Sequence, residues 1–411
     1  MDRPAVVVIG GGPAGLFCAL RAAEGGLDVL LLEKKPLCGR KLLVTGSGQC
    51  NLTHEGSVRD FLPHYGDNGA FLKPALMNFT NRDLITFFEE RGLPTGTDAG
   101  GKIFPASRRA ADVLSVLLEG CRRAGVEICS GAAVRAVGRD EDGFVVETES
   151  ATIHCDALVV ATGGASYPAT GSTGDGYGFA RAFGHTIAPI GPALASIEVE
   201  EYPFAGCAGI SFSSVTLALF RGGKKVREVS GDLLFTHTGL SGPAVLHLSR
   251  YLLAGDGVRV SFLTPADGER LAQALVEASA AHGTRQVKTV LAGFPLPERF
   301  LRQVLLMAEI DPALPCAHLS RAARNRLIAL LTGWTCGVAA VEGLDTAMVT
   351  RGGVSLAEVN RKTMESGLVP GLFFIGEVLD IDGDTGGYNL QAAFSTAALA
   401  ARRLIEVHRT E

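Results

Sequence analysis

The pattern of apolar and polar residues predicts a β-α-β unit near the start of the chain. Val6–Ile9 is a short apolar run, Pro13–Glu24 repeats apolar residues at helical spacing, and Asp28–Glu33 is a second apolar run. Two apolar strands joined by a helix pair in parallel, and other elements then cover both faces of their sheet. The sequence therefore predicts an α/β fold whose sheet begins with these two strands.

The pattern then predicts two helices and a small meander. Helical periodicity covers Asn81–Arg91 and Ala111–Ala124, and strand-like runs follow at 126–129, 132–137, 144–148 and 152–154. The runs on either side of Asp142–Gly143 alternate polar and apolar residues, which is typical of a hairpin. The apolar run Ala157–Ala161 predicts a return of the chain to the main sheet.

The character of the chain changes after Pro192. Strand-like runs lie at 196–200, 215–220, 225–229 and 258–262, and Leu and Ala recur at helical spacing from about 267 to 332. The strand Gly371–Ile375 and the Ala-rich helix Leu390–Val407 suit the first domain again. We therefore predict a first domain made of residues 1–193 and 351–411. Its insertion has a β part at 194–264 and 334–350 and a helical part at 265–333.

Composition narrows the function classes for this 411-residue chain. Hydrophobic residues make up 47% and charged residues 20%, which indicates a globular protein, and no apolar run is long enough to predict a membrane span. The formal net charge of −5 gives no general attraction to nucleic acid, although local basic patches can still exist. The nine cysteines lack metal-ligand spacing, and the N-terminus lacks a secretory pattern. These features favour a cytoplasmic protein with reduced thiols, no metal and no nucleic-acid partner.

The strongest local motif is the glycine-rich stretch Gly10–Gly15, which follows a strand and opens a helix. In a GxGxxG turn, Gly10 permits the tight bend, Gly12 lets the backbone approach a pyrophosphate, and Gly15 lets the helix pack on the sheet. Glu33 ends the second strand, where its carboxylate could bond a ribose diol. The motif thus predicts a Rossmann-type dinucleotide site, but alone it does not separate NAD from FAD.

Two later glycine-rich stretches favour FAD. Ala161–Gly164 closes an apolar strand with small residues, where a bulky side chain would block a nucleotide at the sheet edge. Gly386–Gln391 opens the final helix, whose free amides could face the flavin pyrimidine oxygens. Each stretch could be an ordinary turn, but their order along the chain predicts one non-covalently bound FAD.

With these motifs in place, the chain resembles the aminoacetone-oxidase-type, BaiN- and YhiN-like FAD-dependent oxidoreductases over essentially its whole length. The most specific stretch runs from Gly39-Arg40-Lys41 to Ser47-Gly48-Gln49-Cys50-Asn51, and further matches are Leu240–Pro243 and Gly376–Gln391. The resemblance implies a glutathione-reductase-type FAD domain with an inserted small β-barrel and a helical subdomain. The family pattern usually has Arg at the position of Gln49, which puts in doubt any substrate anion held there.

The resemblance also assigns expected cofactor contacts. Arg40 and Lys41 would lie by the ribose and phosphates, Val134 would give backbone contacts to adenine, and Gly376–Glu377 would cover the ribityl chain and ring. Together with the motifs, the residues expected to bind FAD are Gly10, Gly12, Pro13, Ala14, Gly15, Glu33, Lys34, Arg40, Lys41, Gly48, Gln49, Cys50, Asn51, Val134, Ala161, Thr162, Gly163, Gly376, Glu377, Asn389, Leu390 and Gln391.

No catalytic side chain is fixed by the sequence. His237 could be a general acid, but a loop histidine bonded to backbone is the favoured interpretation. Cys50 has no partner cysteine nearby in sequence, which disfavours a disulfide-reductase mechanism. Tyr388 could contact the flavin or simply pack, and Arg351 could hold a substrate carboxylate.

The leading hypothesis is an enzyme that transfers hydride between FAD and a small organic substrate, as an oxidase or as a double-bond reductase. No second full GxGxxG motif is present for NAD(P)H, so a nicotinamide donor would bind only transiently. The alternatives are a flavoprotein that modifies tRNA or other RNA, and a redox sensor without turnover.

Overall fold

The computed structural model describes residues 3–281 and 284–409, which separate into two compact units. The first unit contains the chain up to Pro192 and from Leu344 onward, and the second is Ala193–Gly343. Each unit has its own hydrophobic core. The insertion therefore folds around apolar residues of its own.

The first segment of the chain alternates strands and helices. Its strands are β1 (Val6–Ile9), β2 (Val29–Glu33), β3 (Thr53–His54), β4 (Thr95–Thr97), β5 (Lys102–Pro105), β6 (Glu127–Ser130), β7 (Val134–Asp140), β8 (Gly143–Thr148), β9 (Thr152–Cys155), β10 (Ala157–Val160) and β11 (Gly191–Ala193). Its helices are α1 (Pro13–Glu24), α2 (Arg40–Val44), α3 (Val58–Phe61), α4 (Gly69–Asn78), α5 (Asn81–Glu89), α6 (Ala110–Ala124) and α7 (Asp175–Ala182). Strands β7–β9 form the predicted meander.

The second unit is a closed six-stranded barrel with helices. Its strands are β12 (Ile197–Val199), β13 (Ser211–Arg221), β14 (Lys224–Phe235), β15 (Gly239–Ser241), β16 (Gly257–Ser261) and β17 (Trp334–Val341). Its helices are α8 (Pro243–Ser249), α9 (Pro265–Ala280), α10 (Val287–Leu291), α11 (Glu298–Met307) and α12 (Arg321–Gly333). Phe300 of α11 stacks on Phe204 and Phe235, with ring centroids 5.4 and 5.8 Å apart. Barrel and helices therefore share one core.

The chain then returns to the first unit through β18 (Val349–Arg351), β19 (Leu372–Phe374) and α13 (Tyr388–His408). The main sheet has the order β19-β10-β1-β2-β6, and all of its neighbouring strands are parallel. The apolar strands are buried on both faces, as their sequences predict. The predicted α/β fold is confirmed.

The return to the first unit begins earlier than predicted. Residues 344–350 were assigned to the barrel part, but the structure groups them with the first unit. The physical reason is that β18 pairs with β11. Strands this short carry too little periodicity to be recognised in the sequence.

The pairing of β11 with β18 joins the two segments of the first unit on either side of the insertion. A first prediction is that the insertion can be deleted. We expect a chain in which residues 194–343 are replaced by a short Gly/Ser linker to fold and to bind FAD, because the first unit keeps its whole core. The measurement is flavin absorbance that co-elutes with the shortened chain in gel filtration. A chain that unfolds would show that the first core depends on the insertion.

A second prediction concerns His185, whose side chain is fully enclosed in the first unit. Its Nε2 lies 2.8 Å from the Ser366 hydroxyl, and its Nδ1 lies 3.4 Å from a Glu358 carboxylate oxygen. Burial lowers the pKa of His185 below its usual value, and the Glu358 carboxylate only partly opposes this. Because the unfolded chain then binds the extra proton more readily, the free energy of unfolding should fall as pH drops below about 6.5, by at most ~1.4 kcal/mol per pH unit.

Denaturant titrations between pH 8 and pH 5 measure this effect. His185→Gln keeps a hydrogen-bonding side chain but does not titrate, so the difference between wild type and variant should shrink as pH falls. A constant difference across the range would show that His185 is not the titrating group.

Candidate functional site

The glycine-rich turn after β1 has the geometry of a phosphate cradle. A Cβ on Gly10, whose φ is +111°, would lie 2.4 Å from the Ala161 carbonyl oxygen, and a Cβ on Gly15 would lie 1.9 Å from the Gly10 carbonyl oxygen. A Cβ on Gly12 would meet no described protein atom within 4 Å. The turn is therefore tightly packed at Gly10 and Gly15 and open at Gly12. Pro13 and Ala14 begin α1, whose N-terminal amides attract an anion.

Glu33 is held at this turn by two backbone amides. Its Oε2 accepts a hydrogen bond from Gly11 N at 2.8 Å, and its Oε1 accepts one from Lys35 N at 2.7 Å. Each carboxylate oxygen retains a second lone pair that can accept a ribose hydroxyl. The Lys34 Nζ forms an ion pair with Asp175 at 2.5 Å. Glu33 is thus fixed at the turn by backbone amides, and Lys34 remains an expected cofactor contact.

The end of β10 shows why small residues occur there. Ala161 N donates to the Ile9 carbonyl at 2.9 Å, which joins the two strand ends. Gly163 has φ of +72°, in the left-handed region. A Cβ on Gly176, in the first turn of α7, would lie 2.1 Å from the Thr162 hydroxyl. The backbone therefore passes close to neighbouring segments at Ala161–Gly163, and these residues remain expected cofactor contacts.

A partly buried ion pair joins Lys41 of α2 to Glu377, which lies 336 residues later in the sequence. Lys41 Nζ donates to Glu377 Oε2 at 2.8 Å and to the Ser166 hydroxyl at 2.5 Å. Glu377 Oε1 also accepts from Thr350 N at 2.9 Å and from the Ser166 hydroxyl at 3.1 Å. Burial raises the pKa of Glu377, but the charge of Lys41 and these hydrogen bonds outweigh it, and the pKa lies below its usual value. Glu377 is therefore an anion held by three donors, Lys41, the Thr350 amide and the Ser166 hydroxyl.

The loop before β3 is shaped by several residues in the left-handed region. Ser47 and Cys50 have φ of +56° and +58°, and Gly48 has +85°. Burial raises the pKa of the Cys50 thiol to about 12, so this thiol stays protonated and unreactive at neutral pH. With its amide oriented to suit its neighbours, Asn51 donates to Thr53 O at 2.8 Å and accepts from Gly387 N at 3.1 Å. Asn51 thus ties the loop to the start of α13.

A guanidinium lies beside Gln49, the position where the resembled family usually has Arg. Arg108 Nη1 donates to Gln49 Oε1 at 3.4 Å, and the Arg108 guanidinium lies 3.9 Å from the centre of the Phe104 ring. Arg108 could not be assigned to the site from its sequence, because 59 residues separate it from Gln49. A positive charge is therefore present here despite the departure at Gln49.

The start of α13 is formed by two glycines with positive φ. A Cβ on Gly387 would lie 2.6 Å from the Thr53 Cα, so the backbones touch. Asn389 Oδ1 accepts a hydrogen bond from Gly383 N at 2.7 Å, and Asn389 Nδ2 donates one to Gly383 O at 2.9 Å. Gln391 is fully buried and accepts from the Thr53 hydroxyl at 2.7 Å. The side-chain amides of Asn389 and Gln391 are thus occupied by bonds to neighbouring loops. Contacts of these two residues with a cofactor would therefore come from the helix backbone.

Tyr388 packs between two histidines. Its ring is stacked on His64 at 4.0 Å and on His54 at 5.3 Å. His64 Nδ1 lies 3.0 Å from Asp384 Oδ2. Burial, with Asp384 and Asp60, raises the pKa of Tyr388 to about 12. Neither histidine was predicted from the sequence, because nothing in the local pattern of residues distinguishes them.

The remaining candidates are His237, Arg351, Arg40 and Val134. His237 is exposed in the turn between β14 and β15 of the second unit. Arg351 lies against Gly191, and burial raises the pKa of nearby Asp380, partly opposed by the Gly352 amide and by Arg351. Arg40 is exposed on α2, and Val134 is half-buried at the start of β7.

Comparison with known proteins places this arrangement in a family. Residues 4–403 match the family described as "HI0933-like protein Rossmann domain". The chain belongs to this family. Over 98% of its length it is 35% identical to the ribosomal RNA dihydrouridine synthase of Escherichia coli (strain K12), of which 99% is covered. It is also 34% identical to the 3-dehydro-bile acid delta(4,6)-reductase of Clostridium scindens. That match covers 97% of this chain and 98% of the reductase.

Solved structures share the fold. The 3-ketosteroid-delta4-(5alpha)-dehydrogenase from Rhodococcus jostii RHA1 is 15% identical, with a TM-score of 0.50 over 97% of both chains. The FrdA subunit of E. coli quinol fumarate reductase is also 15% identical, with a TM-score of 0.51, over 99% of this chain and 71% of its own. The predicted family is confirmed, and this protein is an FAD-dependent oxidoreductase. Among the described residues, no helix is long and apolar enough to cross a membrane.

Proposed function

We propose that this protein reduces a carbon–carbon double bond conjugated to a carbonyl group. The observation that carries the proposal is the reaction shared by its full-length relatives. A dihydrouridine synthase saturates the uracil double bond next to a carbonyl, and the name of a 3-dehydro delta(4,6)-reductase describes double bonds conjugated to a ketone. When bound, FAD would supply the hydride.

The residues of the first unit fit FAD. The open space at Gly12 and the N-terminus of α1 would receive the pyrophosphate, and Glu33 would accept the ribose hydroxyls. Lys41 and Glu377, held by Ser166, would orient the groups between the phosphates and the ring. The N-terminal amides of α13 would stabilise negative charge on the ring. Gly48 to Asn51, Val134, Ala161–Gly163, Gly376 and Asn389–Gln391 remain expected cofactor contacts, through the backbone in the case of Val134.

The substrate class is open between two candidates. A small organic substrate is the leading hypothesis from the sequence, and the name of the 34% identical C. scindens relative narrows it to a conjugated ketone. A uridine in ribosomal RNA is the second candidate. It is favoured by the E. coli relative and by a Haemophilus influenzae relative of the same name that is 33% identical.

Anaerobic half-reactions test the proposed chemistry. Protein reduced with dithionite is mixed with a 3-oxo-4,6-diene steroid, with unmodified ribosomal RNA, or with the corresponding saturated compounds. We expect flavin absorbance to return with one of the unsaturated compounds and with neither saturated one. Return only on admission of oxygen would indicate an oxidase and contradict the proposal. No return with any acceptor, oxygen included, would favour a redox sensor.

Electron supply is a separate part of the proposal. One dinucleotide turn is present, and FAD would occupy it, so NADH or NADPH would bind only transiently at the face used by the substrate. Such alternating occupancy predicts ping-pong kinetics. Stopped-flow reduction by NADPH should therefore be slowed by a substrate analogue. Saturation at low micromolar NADPH that is undisturbed by the analogue would show a separate nicotinamide site.

A further inference from the structure

A histidine–aspartate pair lies beside the start of α13 in the first unit. His64 Nδ1 is 3.0 Å from Asp384 Oδ2, although 320 residues separate the two in the sequence. Their backbones are joined as well, because Asp384 N donates to His64 O at 2.9 Å. A carboxylate bonded to one imidazole nitrogen fixes the orientation of the ring and the tautomer. The pair therefore holds His64 Nε2 in a defined direction.

The imidazole is also held by the ring of Tyr388. The His64 and Tyr388 rings are stacked, with their centroids 4.0 Å apart and their planes 15° from parallel. Tyr388 is itself buried, and its backbone carbonyl accepts a hydrogen bond from the buried Tyr65 hydroxyl at 2.9 Å. Since Tyr388 is the first residue of α13, the stack fixes His64 beside the N-terminus of this helix.

The second nitrogen of the His64 ring is open. Within residues 3–281 and 284–409, no hydrogen bond is found to His64 Nε2, and the side chain is 37% exposed. This nitrogen is therefore not enclosed by protein. An imidazole with a carboxylate on one nitrogen and an accessible second nitrogen can pass a proton to or from a bound molecule.

Two of the expected contacts with the flavin ring adjoin this pair. The amides at the N-terminus of α13 are one of them, and α13 begins four residues after Asp384. The loop that ends at Asn51 is the other, and the Asn51 side chain accepts from Gly387 N at 3.1 Å. The pair thus lies beside the segment at which both expected ring contacts meet.

Other ionisable groups near this segment are less suited to deliver a proton at neutral pH. Burial raises the pKa of Cys50 and that of Tyr388 to about 12. The pKa of Glu377 lies below its usual value, so Glu377 is an anion without a proton to give. Histidine is the side chain that most readily exchanges a proton between pH 5 and 8.

We propose that His64 is the general acid of the double-bond reduction and that Asp384 is its positioning residue. The inference rests on the proposed function, in which a hydride from the reduced cofactor adds to the double-bond carbon farther from the carbonyl. The electron pair of the double bond then forms an enolate, whose carbon next to the carbonyl takes the proton of His64 Nε2. Two C–H bonds replace the double bond, the cofactor is oxidised, and water returns a proton to the neutral imidazole.

Anaerobic single-turnover reoxidation of the dithionite-reduced holoenzyme tests the assignment. The acceptors are a 3-oxo-4,6-diene steroid and, in parallel, unmodified ribosomal RNA. His64→Phe keeps a ring on Tyr388 but has no exchangeable proton, and Asp384→Asn removes the carboxylate. The matched control is His54→Gln, because His54 stacks on the other face of Tyr388 at 5.3 Å while its Nδ1 lies 2.9 Å from the Glu55 carbonyl oxygen. Thermal melting and FAD content establish that each variant folds and holds its cofactor.

We expect His64→Phe to slow reoxidation by roughly 100-fold or more and Asp384→Asn by about 10-fold, because a general acid typically contributes this much and its partner less. His54→Gln should keep the wild-type rate. In ¹⁵N-edited NMR spectra of the apoprotein, which do not depend on turnover, the signal of the His64 Nδ1 proton should shift in Asp384→Asn and persist in His54→Gln.

The pH dependence of the rate separates a proton donor from a packing role. The wild-type rate should fall as pH rises and histidine loses its proton, and the residual rate of His64→Phe should not. The other ionisable groups around His64 are Asp384, Tyr388, His54 and Asp60. Hydrogen bonds at the start of α3 lower the pKa of Asp60, so its charge stays constant over this range. His54→Gln should retain the wild-type profile.

Equal rates in wild type and His64→Phe, or a pH profile that His64→Phe retains, would overturn the proposal. Loss of the reaction in Tyr388→Phe with His64→Phe unaffected would make the phenol the acid and would also overturn it. In these cases, reoxidation of the wild type by a conjugated acceptor would still support the proposed function. No reoxidation of the wild type by either acceptor would contradict the proposed function, and His64 would then have no double bond to protonate.

Discussion

Gly12→Ala is expected to remove most FAD binding and to leave the fold intact. Gly12 has φ of −79° and ψ of −178°, which alanine adopts without strain, and its added Cβ would meet no described atom within 4 Å. The new methyl group would instead project into the open space that we assign to the pyrophosphate. We expect FAD affinity to fall by roughly 10- to 100-fold, or about 1–3 kcal/mol.

Two other glycines provide the comparison. Gly178→Ala, at an exposed helical position with open space around it, should change neither FAD affinity nor melting temperature by much. Gly15→Ala should lower the melting temperature strongly, since its Cβ would lie 1.9 Å from the Gly10 carbonyl oxygen. Isothermal titration of apoprotein with FAD and thermal melting separate these outcomes. Unchanged FAD affinity in Gly12→Ala would place the pyrophosphate elsewhere.

These glycines were also what the sequence could predict best. A turn that requires a missing Cβ leaves a local pattern, so Gly10–Gly15 and the strand ending at Glu33 were recognised without any long-range information. The same holds for the buried apolar runs that became β1, β2 and β10, because a strand buried on both faces has a distinctive composition.

The contacts between distant segments could not be predicted from local pattern. Lys41 and Glu377 are 336 residues apart, and Arg108 reaches Gln49 across 59 residues. His54 and His64 come to lie on the two faces of Tyr388 only because β3 and the segment after α3 meet the start of α13.

The Lys41–Glu377 pair gives the second large expected effect. Lys41→Met would leave Glu377 with the Thr350 amide and the Ser166 hydroxyl as its donors, in a site where the Lys41 and Glu377 side chains are only 23% and 21% exposed. Removing one member of a buried pair costs more than the pair contributes, because the remaining charge is uncompensated. Allowing for partial exposure, we expect a loss of about 1–3 kcal/mol in the free energy of unfolding.

A double-mutant cycle measures this coupling. Glu377→Gln alone should also destabilise the protein, while Lys41→Met/Glu377→Gln should lose about 1 kcal/mol less than the sum of the single changes. Lys34→Met is the matched control, because the Lys34–Asp175 pair is more exposed and should contribute less than about 1 kcal/mol. The pKa of Glu377 lies below its usual value, so its contribution is complete above the unfolded pKa of about 4.5 and is lost as pH falls through the folded value. Additive single changes at pH 7 would show that Lys41 and Glu377 act independently. The pair would then have no special part in shaping the cofactor site.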